Sequence, residues 1–292
     1  MPPAPRGAGP TRSGQPHLGR AGPARTVASD VVRLVTWNVN SLKVRLERIL
    51  EWLAECEPDV VCMQETKLAD TAFPAMAFSA LGYESVHHGE GRWNGVAIIS
   101  RVGLEDVVAG FADGQPADPE ARLLTATCGG VRVMSAYVPN GRALDHEHYQ
   151  YKLRWLERLV GHLDATADPG SPVALCGDFN IAPADRDVWD AAALVDVTHV
   201  SEPERAALQR LLDWGLTDVF RDRYPDTDRL FSWWDYRAGN FHKGIGMRID
   251  LVLASRPLAD RVEWSLIDRN ARKGKSPSDH APLVVQLAGD VT

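Results

Sequence analysis

Short apolar runs alternate along the chain with stretches in which apolar residues recur every three or four positions. Val31 to Thr36 reads as a buried strand, and Leu42, Leu46, Ile49, Leu50 and Leu53 then follow helical spacing as far as Pro58. Val60 to Met63 is the next strand, running out at Glu65, and Gly95 to Ser100 is another, after the Asn94-Gly95 turn signal. Leu123 to Thr127 and Val131 to Tyr137 flank Gly129-Gly130, which predicts a hairpin. Tyr149, Leu153, Leu156, Val160 and Leu163 mark a second long helix, and Val173 to Cys176 a strand ending at Asp178. Pro203 opens a third helix with Ala207, Leu208, Leu211 and Leu212 on one face, closed near Gly215. Arg248 to Ala254 and Pro282 to Leu287 are late strands. There is no fixed-period repeat, but one echo: TWNVN and CGDFN both end strand-like runs with similar strand and helix neighbours. Mixed strands and helices with a hairpin favour a two-layered sheet core with outer helices over a purely parallel sheet.

Residues 1–30 break this pattern. They are Pro, Gly, Ala and Arg with almost no large apolar side chain, which predicts a disordered tail ahead of a single catalytic domain over 31–292. The tail lacks the apolar core of a secretion signal, and its prolines oppose an amphipathic transit helix. At 45% hydrophobic, the 292 residues suffice for a sizeable core. No apolar run is long enough for a membrane span. The tail carries four arginines against Asp30, a net charge of +3, which leaves −10 for the remainder. An acidic body argues against general adhesion to nucleic acid, yet permits a basic rim around an acidic metal site. Cys56, Cys62, Cys128 and Cys176 lack the close pairing of a zinc site. They are expected to be reduced, in a cytoplasmic protein.

The candidate chemistry sits where the apolar runs end: Asn38, Glu65, Asp178 with Asn180, Asp250, and Asp279-His280. Hard oxygen donors converging with one His suggest Mg²⁺, with Mn²⁺ as the alternative, and a divalent metal beside an activated water suits phosphodiester hydrolysis. Asp178 and Asn180 alternate by two, so along an extended segment they face the same way; a turn or cap is the competing reading. Glu65 at a strand end calls for a partner, either a metal or Lys67. Asn38 offers an amide oxygen, whereas Asn40 by itself reads better as a helix cap. His280 needs a carboxylate to fix its tautomer, and Asp250 is the candidate. His87, His88, His146 and His148 lack such context and read as surface residues. Tyr137 and Trp233 read equally well as ligand contacts or as packed aromatics. Arg122, Arg142, Lys243, Arg269, Lys273 and Lys275 fall in predicted loops, where they could grip phosphates.

In order, TWNVNS, PDVVCMQETK, WNGVAIIS, AYVPNG, GDFNIAP, FSWWDYR, RIDLVLAS and PSDHAP resemble the motifs of the exonuclease III-type apurinic/apyrimidinic endonucleases, from about Val31 to Leu287. The resemblance implies a four-layered α/β sandwich, with two mixed β-sheets face to face and helices outside. It also implies a Mg²⁺ site at the strand ends, acting on double-stranded DNA with abasic sites or blocked 3′ ends. By position, Glu65 resembles the principal metal ligand, with Asn38 and Asp279 beside it, and Asp178 and Asn180 near enough to share the ion. Asp178 resembles the water-activating residue and Asn180 the transition-state stabiliser. Tyr137 and Asn140 match phosphate contacts, His280 and Asp250 the His–Asp pair, and Trp233, with Ile249 nearby, the sugar-pocket aromatic. Arg142 lies one residue short of where certain relatives place a DNA-inserting arginine. Some relatives carry Asp at Asn40, and Met247 replaces an aromatic of some pocket walls. Incision 5′ to an abasic sugar by a monomer is the expectation. A phosphatase or lipid phosphodiesterase of the same superfamily and a silent lesion-binding module are the alternatives.

Overall fold

Side chains alternate between the two faces of a strand, so each strand buried on both sides must meet two different neighbours. A computed structural model of the chain, describing Val31 and residues 33–289, shows what each face meets. Twelve strands are present among the described residues: β1 (Arg33–Asn38), β2 (Val60–Gln64), β3 (Glu84–His88), β4 (Val96–Ser100), β5 (Glu105–Ala109), β6 (Leu123–Cys128), β7 (Val131–Tyr137), β8 (Val173–Asp178), β9 (Leu216–Asp218), β10 (Asp250–Ser255), β11 (Val262–Ile267) and β12 (Leu283–Leu287). The helices that pack on them include α1 (Leu42–Cys56), α2 (Ala75–Ser79), α3 (Glu147–Thr166), α4 (Glu202–Asp213) and α5 (Val219–Arg223). The expected tail lies outside the described residues.

The strands form two six-stranded sheets, ordered β11-β12-β1-β2-β4-β3 and β5-β6-β7-β8-β10-β9. Leu34, Val60, Cys62, Val96 and Ile98 of the first sheet share a core with Leu124, Ala126, Val133, Ala174, Cys176 and Val252 of the second. The alternate residues of the first sheet, Val35, Trp37, Val61, Met63 and Ile99, meet Leu42, Ile49, Trp52 and Leu53 of α1. Those of the second, Met134, Ala136, Leu175, Leu251 and Leu253, meet Trp155, Leu156, Leu159 and Leu163 of α3 and Leu208 and Leu211 of α4. The result is helix, sheet, sheet, helix: the four-layered α/β sandwich. All four cysteines are free. No helix of the described residues is long and apolar enough to cross a membrane.

Each sheet holds one parallel pair at its centre, β1 with β2 and β7 with β8, and every other pairing is antiparallel. Both parallel pairs are β–α–β units, crossed by α1 and α3. The repeat heard in the sequence is therefore real in kind but misaligned. Topology matches the strand ending at Asn38 to the one ending at Tyr137, and the strand ending at Gln64 to the one ending at Asp178. The register sets Asn38 opposite Gln64, Tyr137 opposite Asp178 and Asp178 opposite Asp250, so all four strand ends open at one edge of the sandwich. Gly177 permits the close approach of β8 to β7, because a Cβ there would lie 1.9 Å from the Ala136 carbonyl oxygen.

One buried charge network supports this edge from below. Arg248, fully buried, donates to both carboxylate oxygens of Asp187 (2.7 and 3.2 Å) and to Asp218 (2.7 Å), and Arg221 adds a second contact to Asp187. Burial opposes the charge on Asp187, but Arg248 and Arg221 outweigh it and hold the carboxyl below its usual range. A carboxyl depressed in the folded state stabilises the fold above its unfolded value, about pH 4, and the gain fades as pH falls through the folded value. Arg248→Met leaves buried carboxylates short of a partner and is expected to cost about 3–5 kcal/mol in urea unfolding at pH 7. The deficit is expected to shrink below about pH 4, as Asp187 protonates in the variant. A loss under about 1 kcal/mol, or one independent of pH, would contradict a stabilising role for the network.

Candidate active site

Asn38 closes β1 and links the two sheets. Its Nδ2 donates to Glu65 Oε1 and to Asp178 Oδ2, both at 2.9 Å. Its Oδ1 is buried and has no hydrogen-bond partner. Glu65, one residue past β2, takes a left-handed φ of 52° that turns its carboxylate back across the strand ends. There Lys67 Nζ reaches Oε2 at 2.7 Å and the Tyr137 hydroxyl donates to Oε1 at 2.8 Å. The metal and ion-pair readings of Glu65 are thus not exclusive, since Lys67 occupies only one carboxylate edge. Burial raises the Glu65 carboxyl, but Lys67 and Asn38 outweigh it and hold it below the usual range. Burial pushes the Tyr137 hydroxyl up, and the neighbouring Glu65 adds to the shift.

Asp178 lies on the other side of Asn38. Its Oδ1 accepts from the backbone N–H of Asn180 at 2.9 Å. The segment does not continue extended as the spacing suggested. Asn180 has φ 50°, and the chain turns to bring its amide beside the carboxylate. Burial pushes Asp178 up to about 7, a shift that His280 resists and Asp250 reinforces. His280 Nε2 is 3.7 Å from Asp178 Oδ2, while its Nδ1 lies 2.8 and 3.1 Å from the two oxygens of Asp250. Burial works against the charged ring, but Asp250 and Asp178 together lift His280 to about 10, so it is a cation at neutral pH. Serines missed in the sequence hold this pair. Ser232 Oγ accepts from the N–H groups of Ile249 and Asp250, and Ser278 Oγ accepts from the His280 N–H while donating to the Asn38 carbonyl. No spacing distinguishes these serines from ordinary loop residues.

Glu65, Asp178 and His280 each present a ligand atom within 4.8 Å of the others. Two carboxylates and an orphaned amide oxygen make an oxygen-rich group suited to a hard divalent cation. Glu65 and Asp178 could hold one, and the unpaired Asn38 Oδ1 is a further oxygen donor on the residue between them. Asp279 stands one step outside, its oxygens accepting from Asn40 Nδ2 (2.8 Å) and Trp233 Nε1 (3.1 Å). Asn180 is also outside that group: its Oδ1 accepts from Asn140 Nδ2 at 3.1 Å and its Nδ2 donates to the Val138 carbonyl at 3.0 Å. Trp233 borders a small apolar cluster of Ala182, Val188, Met247 and Ile249. Arg142 is exposed beside Asn140, its N–H donating to Asn140 Oδ1 at 3.1 Å.

Several sequence expectations give way. Asn40 does not cap α1; its side chain joins Asp279 to Lys67, whose Nζ donates to Asn40 Oδ1 at 2.6 Å. Arg122 is no free loop cation. It is buried under the Tyr137 ring at 4.6 Å and bonded to Glu120 and the Tyr137 carbonyl. His87 is not a surface residue either, since its side chain is 4% exposed and contacts Thr66 and Asp70. Lys243, Arg269, Lys273 and Lys275 are exposed as expected.

The geometry has counterparts among known proteins. The profile of the Endonuclease/Exonuclease/phosphatase family matches residues 35–280. The chain is 32% identical to the exodeoxyribonuclease III of Haemophilus influenzae over 266 residues, covering 86% of this chain and 98% of that one. An AP endonuclease from Archaeoglobus fulgidus superposes with TM-score 0.84 and 41% identity, covering 88% of this chain and 99% of the other. A 3′ phosphatase from Neisseria, bound to a product DNA hairpin, gives 0.84 and 39% over the same shares. A cage of acids at the ends of two facing β–α–β units, matched over most of its length, places this chain in the endonuclease/exonuclease/phosphatase family, among its exonuclease III-type members.

Proposed function

We propose that the chain is a Mg²⁺-dependent DNA-repair phosphodiesterase that cuts duplex DNA 5′ to abasic sites, leaving a 3′-hydroxyl and a 5′-deoxyribose phosphate. The observation that carries this reading is the placement of Asp178 between Asn38 and His280, with the orphaned Asn38 Oδ1 and the Glu65 carboxylate alongside. A bound divalent ion supplies charge neutralisation on the phosphate and on the departing oxygen. Asp178, steered by Asn38 and the Asn180 N–H, orients the attacking water and takes its proton. The new bond forms between that oxygen and phosphorus, and the bond to the 3′ oxygen breaks, with a proton restoring the 3′-hydroxyl. His280, kept charged and oriented by Asp250, faces the developing negative charge on the phosphate oxygens. The Asn180 Nδ2 hydrogen not used by the Val138 carbonyl gives a further donor at the same place, with Asn140 holding that amide, and the Tyr137 hydroxyl gives another once it turns from Glu65 to the phosphate. The apolar cluster beside Trp233 is suited to a sugar that carries no base. Arg142 lies where it can reach the flanking backbone.

A second reading, removal of phosphate or nucleotides from 3′ ends, is favoured by the near-equal likeness to the Neisseria 3′ phosphatase and the Archaeoglobus endonuclease. The same attack on phosphorus serves both. An end-labelled duplex with one central abasic analogue, and a second with a 3′-phosphate at a nick, separate the two. Cutting at the lesion with Mg²⁺ and none with EDTA is the expected result. Turnover of the nicked substrate alone would make the protein an end-processing enzyme, and turnover of neither by metal-loaded protein would overturn the DNA reading.

Asp178→Asn keeps the shape and the Asn38 contact but removes the proton acceptor. It is expected to lower kcat by about 10²–10⁴-fold while leaving affinity for uncut abasic duplex within a few fold. Turnover like that of the parent would remove Asp178 from the role of base.

A further inference from the structure

Two charged residues lie on the apolar stripes of helices, where sequence patterning expects hydrophobic side chains. Lys152 falls in step with Tyr149, Leu156, Leu159 and Leu163 on α3, and Glu204 with Ala207, Leu208 and Leu211 on α4. Both side chains are fully buried and form an ion pair. Lys152 Nζ also donates to the Asn180 carbonyl at 2.7 Å and to the Asn140 carbonyl at 3.3 Å, which uses all three of its donors. Glu204 Oε1 accepts from Thr198 Oγ1 (2.7 Å) and the His199 N–H (3.0 Å), and Oε2 accepts from the Ser201 hydroxyl and N–H. The pair therefore ties together the loops that follow β7, β8 and residue 197. Gly141 leaves the room for it: at φ +91°, a Cβ there would lie 2.8 Å from Thr198 Oγ1 and 3.2 Å from Lys152 Cδ.

We propose that the Lys152–Glu204 pair is a positioning element for the hydrolytic reaction, fixing the backbone that carries the Asn140–Asn180 amide pair. The inference rests on the phosphodiesterase reading above. Stability alone gives a poor reason for such a pair, because replacing a buried ion pair by apolar side chains of similar volume is often neutral or stabilising. An apolar stripe cannot, however, donate to the carbonyls of Asn140 and Asn180. Asn180 sits at φ 50°, a left-handed turn conformation that asparagine tolerates, so the turn by itself does not fix where the amide points. The Asn180 amide is aimed by its own backbone, by Asn140 and by the Val138 carbonyl, and one Nδ2 hydrogen is left for the substrate. Lys152 and Glu204 thus act through Asn180, which Asn140 helps to aim, without touching DNA.

The test is the paired replacement Lys152→Met with Glu204→Leu, made in the parent and in an Asn180→Ala background. Melting temperature, kcat and KM are read on whichever DNA substrate the parent cuts. In the parent the pair of replacements should lower the melting point, because the loop groups it satisfied lose their partners, yet in protein still folded at the assay temperature it should leave KM little changed and lower kcat about 10- to 100-fold, the size of effect expected from a misplaced group. In the Asn180→Ala background it should change kcat less than about twofold, since the group it positions is gone. Should the paired variant fail to fold, Glu204→Gln is read in the same two backgrounds with the same expectation. Parental kcat in a folded variant, or an equal loss in both backgrounds, would overturn the proposal and confine the pair to a structural part. Parental kcat in Asn180→Ala itself would instead remove Asn180 from the phosphodiesterase mechanism, and the inference would fall with it.

Discussion

Two carboxylates, Glu65 and Asp178, are held out of water within reach of a single asparagine, and the rest of the site follows from that juxtaposition. Like charges buried together raise each other's proton affinity and oppose folding unless positive charge is supplied. The chain supplies it on both flanks. Lys67 binds the outer edge of Glu65, and His280, made cationic by Asp250, faces Asp178. Asn38 stands between the acids and gives one amide hydrogen to each, which leaves its oxygen unpaired. The two acids and the unpaired oxygen fit a divalent cation, which would serve phosphate chemistry.

The fold explains how acids from distant parts of the sequence meet. Parallel strands joined by a crossover helix end at the same edge, and each sheet contains one such unit. Facing the two units across one apolar core brings Asn38, Glu65, Tyr137 and Asp178 to one rim, and antiparallel β10 delivers Asp250 to the same level. His280 arrives just before β12, which runs antiparallel to β1. The buried Arg248–Asp187 network and the Lys152–Glu204 pair lie behind this rim. They hold loop backbone by directed hydrogen bonds where apolar packing would leave it free to shift.

Much of this was legible in the sequence because it follows from periodicity and from the placement of polar residues at the ends of apolar runs. The strands ending at Asn38, Gln64, Tyr137 and Asp178 and the hairpin at Gly129-Gly130 lie where the patterning puts them. What escaped was of two kinds. Backbone direction after a strand is not written in residue spacing, so the turns at Glu65 and Asn180 and the use of Asn40 as a bridge were not foreseen. Buried charge was also missed, since Arg122, Lys152, Asp187, Glu204 and Arg248 look like surface residues by composition. For Lys152 and Glu204 a signal did exist, in that each falls on the apolar stripe of its own helix.

The cation cage is the claim on which the mechanism depends, and it can be examined without DNA. Titration of the protein with Mn²⁺, following the free aqueous ion by electron paramagnetic resonance, should show uptake that Mg²⁺ reverses. Glu65→Gln should weaken that uptake by at least the roughly 10- to 100-fold that loss of even an outer partner costs a metal site. Equal affinity in the folded parent and variant, or no uptake by the parent, would contradict a metal site at these strand ends.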